Sequence, residues 1–266
     1  MMLSTDTPFP QPFPKGAVLL IDKPFAWTSF DVVNRVRYLL ARRLGIKKLK
    51  VGHAGTLDPL ATGLLILCVG DFTKQIDSFQ EMPKAYTGTI TFGATRPSFD
   101  LEKAVDAHFP TEHLTDALLE EMRTRFVGDI LQVPPIFSAV KVDGRRLYKN
   151  ARTGEEVELP HRPVRIDTFE LGALCAVPAP TQEGPVVASA KGAPIMLHPE
   201  YAQGVQCDFR VACGKGTYIR SLAHDLGQAA HSGAYLSTLR RTVTGGFSVE
   251  DACTLEKLVE WVQSEQ

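Results

Sequence analysis

Residues Gly52-His53-Ala54-Gly55-Thr56-Leu57-Asp58-Pro59-Leu60-Ala61-Thr62-Gly63 set three glycines around a histidine and an aspartate, immediately before the apolar run Leu64 to Val69. Asp-Pro alone reads as the start of a helix: the carboxylate caps free amides, and proline, with no amide hydrogen to lose, takes the first helical position. A capping aspartate, however, does not need three glycines or a histidine five residues upstream. Glycines beside a polar residue let another backbone approach closely, as an extruded nucleotide requires. The stretch is therefore a candidate site centred on Asp58, which is free to cap a helix as well.

Upstream, Ala17-Val18-Leu19-Leu20-Ile21-Asp22-Lys23-Pro24 has the short apolar run and charged, proline-closed end of a buried strand. Thr28 or Ser29 then caps a helix with Val32, Val33, Val36, Leu39, Leu40 and Leu44 on one face and Gly45 as its stop. From Arg35 to Lys50 there are seven basic residues (Arg35, Arg37, Arg42, Arg43, Lys47, Lys48, Lys50) and no acid. A merely solvated helix mixes signs, so this run points to an anionic partner. Downstream, Thr87 to Phe92 alternates as a strand, and Thr111 to Val127 reads as an acidic amphipathic helix with Leu114, Leu118, Met122 and Phe126 inward. Residues 132–163 form a basic excursion, and 173–204, rich in small residues and proline, a surface insertion of weak or irregular structure. Gln206 to Cys213 is a strand, Gly214 to Thr217 a turn, and the helix after it carries Ile219, Leu222, Ala223 and Leu226 and stops at Gly227. Thr254 caps a short final helix. The prolines of residues 1–14 predict a disordered or extended tail, with folded structure from about Lys15 to residue 262.

Composition constrains function only loosely. With 29 basic and 30 acidic side chains the net charge is −1, which supplies no global basic signal for nucleic acid but leaves room for a local patch. Five scattered cysteines (Cys68, Cys175, Cys207, Cys213, Cys253) contain no C-x-x-C pair and argue against a disulfide framework or thiolate zinc site. The seven histidines show no H-x-x-x-H or H-E-x-x-H spacing, so no metal is expected. No signal peptide or membrane-length apolar run is present, and a cytoplasmic location is expected.

Three further segments carry polar residues of interest. Cys213-Gly214-Lys215-Gly216-Thr217-Tyr218-Ile219-Arg220 lacks the spacing of a nucleotide-phosphate loop. Arg220 falls early in a helix, where the dipole disfavours a cation, and this suggests a specific acid partner, Asp58. Lys84-Ala85-Tyr86-Thr87-Gly88 puts a tyrosine at the start of a strand, and Leu239-Arg240-Arg241-Thr242 by itself reads as a solvated turn.

Taken in order, Gly52 to Leu65, Lys84 to Gly88, Gly214 to Arg220 and Leu239 to Thr242 resemble the motifs of the bacterial tRNA pseudouridine-55 synthases, the TruB family. Leu20 to Pro24 with Trp27-Thr28-Ser29, and Gln132 to Pro135 with Ser138 to Lys141, fit the same pattern, so the likeness runs from about Ala17 to Ala252. The resemblance implies an α+β pseudouridine synthase fold, a mixed and mostly antiparallel sheet flanked by helices around a central catalytic cleft, as a single catalytic domain over residues 15–262. Pattern alone supports only mixed α and β. The implied activity is conversion of uridine to pseudouridine in the T loop of tRNA, at position 55, with no cofactor.

In that resemblance Asp58 is the nucleophile, attacking either ribose C1′ or uracil C6; Arg220 pairs with it; and Tyr86 stacks on the flipped base and takes part in proton transfer. Tyr218 and Leu239 line the pocket, and His53 supports base flipping. Residues 132–163 resemble the family's thumb insertion. Arg35, Arg42, Arg43, Lys47, Lys48, Lys74, Lys141, Arg145 and Arg146 are the expected contacts to the T-arm backbone of the tRNA partner. A monomer without membrane or protein partners is expected. Two features depart from the commoner pattern: no C-terminal PUA-type domain is evident, and Arg96-Pro97-Ser98-Phe99-Asp100 replaces a Thr/Asp-rich segment. A non-catalytic tRNA-binding or folding module on the same fold is the alternative, against which an intact Asp58, Tyr86 and Arg220 argue. A metal-dependent nucleotide hydrolase is a second rival, which the histidine spacing disfavours.

Overall fold

The computed structural model describes residues 1–135, 141–142, 145–146, 161–178, 184–187 and 194–264. Its principal strands are β1 (Met2–Leu3), β2 (Gly16–Lys23), β3 (Val51–His53), β4 (Ala61–Gly70), β5 (Lys84–Phe92), β6 (Gly128–Gln132), β7 (Arg162–Leu171), β8 (Val205–Cys213), β9 (Ala234–Thr244) and β10 (Phe247–Ser248). The helices are α1 (Ser29–Leu44), α2 (Ile76–Glu81), α3 (Asp116–Arg123), α4 (Ile219–Ala229) and α5 (Leu255–Gln263). The architecture is α+β. The chain packs as two compact units, one of residues 1–86, 186–195 and 240–266 and the other of residues 87–185 and 196–239, with β5 and β9 contributing to both.

In the first unit the strand order is β1-β2-β4-β9, with β3 paired to β4 and β10 to β9. Only β1 against β2 is parallel among the registers β1–β2, β2–β4, β3–β4 and β9–β10. Both faces of β2 and β4 are covered, which is why their sequences read as continuous rather than alternating apolar runs. On one face Leu19, Ile21, Leu65, Leu67 and Val69 meet Val32, Val33, Val36 and Leu40 of α1 and Leu258 and Trp261 of α5. On the other, Val18, Leu20, Leu64, Ile66 and Cys68 pack with Phe79 and Val249. Each such side chain contributes about 2 kcal/mol of burial. Helix α1 is closed at its N-terminus by a capping box between Thr28 and Asp31 and at its C-terminus by Gly45 in the left-handed conformation.

The N-terminal segment holds a two-residue strand, a turn at Thr5–Asp6 and a bend at Gln11–Pro12, so folded structure does not wait until Lys15. Met2 and Leu3 pair with Val18 and Leu19. Phe9 is buried, with its ring 4.9 Å from that of Trp261, whose indole N–H donates to Thr7 O at 2.6 Å. The two phenylalanines among the prolines supply apolar area that a proline count overlooks.

In the second unit β6, β7 and β8 are antiparallel neighbours and β5 follows β8. The acidic helix is shorter than its periodicity suggests: α3 starts after the Thr115 cap, ends at Arg123 and continues as one 3-10 turn, Thr124–Phe126. Leu119 rather than Leu118 is its most buried leucine. Helix α4 does not stop at Gly227 but runs through it to Ala229. A Cβ at Gly227 would lie 2.3 Å from Ala234 N, so this glycine admits the start of β9 against the helix instead of ending it. Within the expected 173–204 insertion, Cys175–Ala176 pairs with β8, and Gly184–Val187 and Pro194–Leu197 form a two-stranded sheet. Of the expected basic excursion, residues 136–140, 143–144 and 147–160 lie outside the described residues, and Lys141–Val142 pairs antiparallel with Arg145–Arg146.

Gly63 has φ +100°, and a Cβ there would sit 2.2 Å from Arg241 O. Gly63→Ala therefore forces either β4 or β9 to move. The expected loss is about 3 kcal/mol or more, measured as a fall in the urea midpoint with unchanged slope.

Candidate active site

The segment 54–60 between β3 and β4 has no helix or strand of its own. Asp58 does not cap a helix: Pro59 and Leu60 form a turn, Ala61 N donates to Asp58 O at 3.1 Å, and β4 begins at Ala61. Pairing of the following apolar residues with β2 on a sheet buried on both faces outweighs the local preference of Asp-Pro for a helix start. The glycines also serve differently than expected. Gly63 accommodates the backbone of Arg241, and a Cβ on Gly55 would touch the Arg241 guanidinium at 3.4 Å, so the close approach is by the protein's own chain.

Side chains of three other elements hold this segment. Ser29, the first residue of α1, accepts from Leu57 N (2.9 Å) and donates to Leu57 O (3.1 Å). Arg241 of β9 donates to Gly55 O (3.1 Å) and Leu64 O (2.7 Å). Lys23, at the end of β2 and fully buried, donates to Pro59 O (3.3 Å), Pro24 O (2.9 Å) and Trp27 O (2.5 Å). Burial pushes the Lys23 ammonium down to about 7, with the Asp58 carboxylate pulling it upward and the Arg241 charge pushing it further down. Burial first, and Arg241 second, also hold the His53 imidazole below its ordinary value, opposed by a backbone hydrogen bond at Gly55. His53 is therefore largely neutral at pH 7 and can face an uncharged base without a cation's desolvation cost.

Tyr86 lies on β5 and is buried, while Lys84 anchors the start of that strand through Gln80 O (2.6 Å) and Met82 O (2.5 Å). His53, Asp58 and Tyr86 thus belong to the first unit. Tyr218, Arg220 and Leu239 belong to the second. Arg220 is the second residue of α4, buried, with its guanidinium 3.6 Å from the Asp100 carboxylate and donating to Ser98 O at 3.0 Å. The atypical Arg96–Asp100 segment therefore still delivers an acid to this arginine. Gln132 fixes the turn before α4 by accepting from Tyr218 N (2.7 Å) and donating to Tyr218 O (3.0 Å), and Ser221 donates to Val133 O (2.7 Å). Phe99, with φ +59°, stacks on His224 at 4.0 Å.

Arg35, Arg42, Arg43, Lys47 and Lys48 are all exposed on α1 and the residues after it. Arg43 also packs over the Phe9 ring and donates to Ser264 O, whereas Arg37 is turned inward onto Asn34 and Val51 O. Lys74 is exposed and 3.6 Å from Asp71. Lys141, Arg145 and Arg146 stand on the short antiparallel pair. The Leu239–Thr242 stretch is strand, not turn: Arg240 chelates Asp22 at 3.0 and 2.7 Å, and Arg241 is buried. Sequence pattern assigns Lys23 and Arg241 no role at the site and Ser29 only that of a possible helix cap. A lysine closing an apolar strand is the available signal, but its acceptor in the Asp58 loop, Pro59 O, lies 36 residues along the chain. An open groove of about 440 Å³, lined by Glu120, Arg123 and residues Asp167 to Leu171 among others, contains none of the predicted site residues.

The α+β framework is that of the pseudouridine synthases, as its likenesses to known proteins show. A chain of the crystal structure of a Cbf5-Nop10-Gar1 complex superposes with TM-score 0.60 and 26% identity, covering 92% of this chain and 54% of that one. The archaeal box H/ACA sRNP Nop10-Cbf5 complex gives TM-score 0.57 at 22% identity, a likeness of fold alone, over 93% of this chain and 54% of that one. This chain thus spans about half the length of those solved chains. The family model described as TruB family pseudouridylate synthase (N terminal domain) matches residues 42–191, and that described as tRNA pseudouridylate synthase B C-terminal domain matches residues 220–266. Proteins named tRNA pseudouridine synthase B from Phocaeicola vulgatus (48% identical, covering 96% of each chain) and Flavobacterium johnsoniae (47%, covering 96% of this chain and 99% of the other) are similar throughout. The chain belongs to the TruB family.

The buried lysine makes a pH signature. With its folded-state value near 7, Lys23 carries no proton between about pH 7 and 10.5, where the unfolded chain still binds one, so stability rises with pH across that window and levels off below it. In Lys23→Met this slope, at most about 1.4 kcal/mol per pH unit, is expected to vanish. Urea denaturation of both proteins from pH 6 to 10 measures it; parallel curves would contradict the assignment.

Proposed function

We propose that this protein isomerises uridine to pseudouridine in the T loop of tRNA, at position 55, with Asp58 as nucleophile. The observation that carries this reading is the Asp58 loop itself, tied by Ser29, Lys23 and Arg241 in a chain of the TruB family. The reaction breaks the N1–C1′ bond and forms a C5–C1′ bond; C5 loses a proton, N1 gains one, and no electrons leave the nucleoside. A carboxylate suits the task because it is charged at neutral pH, attacks C1′ or C6, and departs again readily. Arg220 is proposed as the ionic partner that keeps Asp58 ionised where water is excluded. Tyr86 stacks on the flipped uracil and handles its proton, with Tyr218 and Leu239 lining the pocket. A neutral His53 supports the gap left by the extruded base; extrusion costs a few kcal/mol and stacking offsets it.

Arg35, Arg42, Arg43, Lys47, Lys48 and Lys74, with Lys141, Arg145 and Arg146 of the thumb-like segment, are proposed to hold the T-arm backbone, positioning the RNA without reading its sequence. Structured RNA loops are recognised by shape and splayed bases, so a net charge of −1 is compatible with this substrate. We place the protein in the cytoplasm as a monomer acting without cofactor. No helix of the described residues is long and apolar enough to cross a membrane.

The test is an unmodified tRNA transcript, with pseudouridine mapped by carbodiimide-stop primer extension. The native protein is expected to give a stop at the T-loop uridine, in excess chelator as well, and Asp58→Asn to give none. Arg220→Lys is expected to lower kcat about 100-fold, equivalent to about 2.7 kcal/mol of transition-state stabilisation. A stop that persists with Asp58→Asn sinks the nucleophile assignment; none with the native protein supports the binding-module reading.

A further inference from the structure

Helix α1 buries Val32, Val33, Val36, Leu39 and Leu40 on one face. Its opposite face carries two large rings in water: Phe30, 62% exposed, and Tyr38, 57% exposed. They are eight residues apart, two turns and about 12 Å along the axis. At 100° per residue they straddle the middle of the exposed face, with Asn34 between them and Arg35 and Arg42 at the flank. A single exposed apolar residue needs no explanation. Two rings flanked by Arg35 and Arg42, at the start of a stretch without an acid from Arg35 to Lys50, do. The one acid earlier in the helix, Asp31, is committed to the capping box with Thr28. Phe25, on the turn before α1, is also exposed.

The helix that bears this face is tied to the Asp58 loop from its buried side. Ser29, next to Phe30, grips both backbone polar groups of Leu57, next to Asp58. The chemistry of the face selects its occupant. Rings and arginines also serve protein interfaces, but a protein partner here would have to present an almost wholly acidic surface to a stretch with seven cations and no acid. Unpaired RNA offers both complements at once, phosphates for Arg35 and Arg42 and flat bases for the rings.

We propose that the solvent face of α1 is a base-stacking platform, on which Phe30 and Tyr38 hold unpaired nucleotides of the RNA substrate outside the target uridine while Arg35 and Arg42 hold its backbone. The proposal deepens the reading of the protein as a tRNA-modifying enzyme and rests on it. Because both rings are exposed, their replacement leaves the core intact. At fixed salt, Phe30→Ala and Tyr38→Ala are each expected to raise the Kd for an unmodified tRNA transcript about tenfold, read by filter binding. Phe30→Trp is expected to keep native affinity and Phe30→Leu to lose it, because stacking needs a π-face and apolar contact does not. Arg35→Gln with Arg42→Gln is expected to flatten the dependence of log K on log salt by one to two units. A double alanine variant that binds tRNA within twofold of the native protein overturns the platform. So does a double variant that keeps its affinity but loses self-association by light scattering, which makes the face a protein interface. If the native protein binds tRNA and the alanine variants weaken it, but no pseudouridine forms, the catalytic reading fails and the platform stands.

Discussion

Everything at the candidate site depends on satisfying the backbone of a loop that has no secondary structure to do so. Backbone amides and carbonyls buried without partners cost as much as lost hydrogen bonds. Between Ala54 and Leu60 backbone bonds serve Ala54 N and Asp58 O, and side chains supply further partners: Ser29 for both groups of Leu57, Arg241 for Gly55 and, just past the loop, for Leu64, and Lys23 for Pro59. Two of the three are cations buried beside an acid-bearing segment. Their use as backbone anchors sets the shape of the loop, and their charge sets the field in which Asp58 and His53 sit. Lys23 shows the tension most clearly, since desolvation pushes its proton off while Asp58 holds it on.

The sheet beneath makes this arrangement possible. With β2 and β4 covered on both faces, neither strand can slide without exposing a core face, so the ends of both are rigid platforms. Lys23 closes β2, and Gly63 sits early in β4 where only a glycine lets the Arg241 backbone pass. The second unit repeats the device on a different scaffold. Gln132, almost fully buried, grips both backbone groups of Tyr218 as Ser29 grips Leu57, and in each case a residue proposed for the chemistry, Arg220 or Asp58, lies one or two positions along. Gln132 ends β6, so that strand and the start of α4 are tied together.

Electrostatically the chain is balanced overall and polarised locally. The acids gather elsewhere, on α3 among other places, while the stretch from Arg35 to Lys50 keeps one sign. A protein built this way can hold an anionic partner on one surface without the self-repulsion and non-specific binding that a large net charge brings.

What was legible in the sequence was whatever depends on local pattern. A cap at Thr28 or Ser29, the apolar face of α1, Gly45 as its stop, the buried β2 and the final helix after Thr254 follow from periodicity and end chemistry over a few residues. The ordered motifs likewise identified the family and singled out Asp58. Local pattern failed where a distant residue outweighed it. Asp58 begins no helix because β2 draws the next residues into a sheet; Gly227 does not stop α4 because β9 packs against it; and Arg241 is buried, not solvated, because Gly55 and Leu64 need its donors. Phe9 finds Trp261 some 250 residues away, which no count of prolines foretells. Residue types and spacing determined which groups were available for chemistry. Tertiary structure alone decided which buried carbonyls they answer to, since a hydrogen bond's partner is chosen by three-dimensional proximity and not by position along the chain.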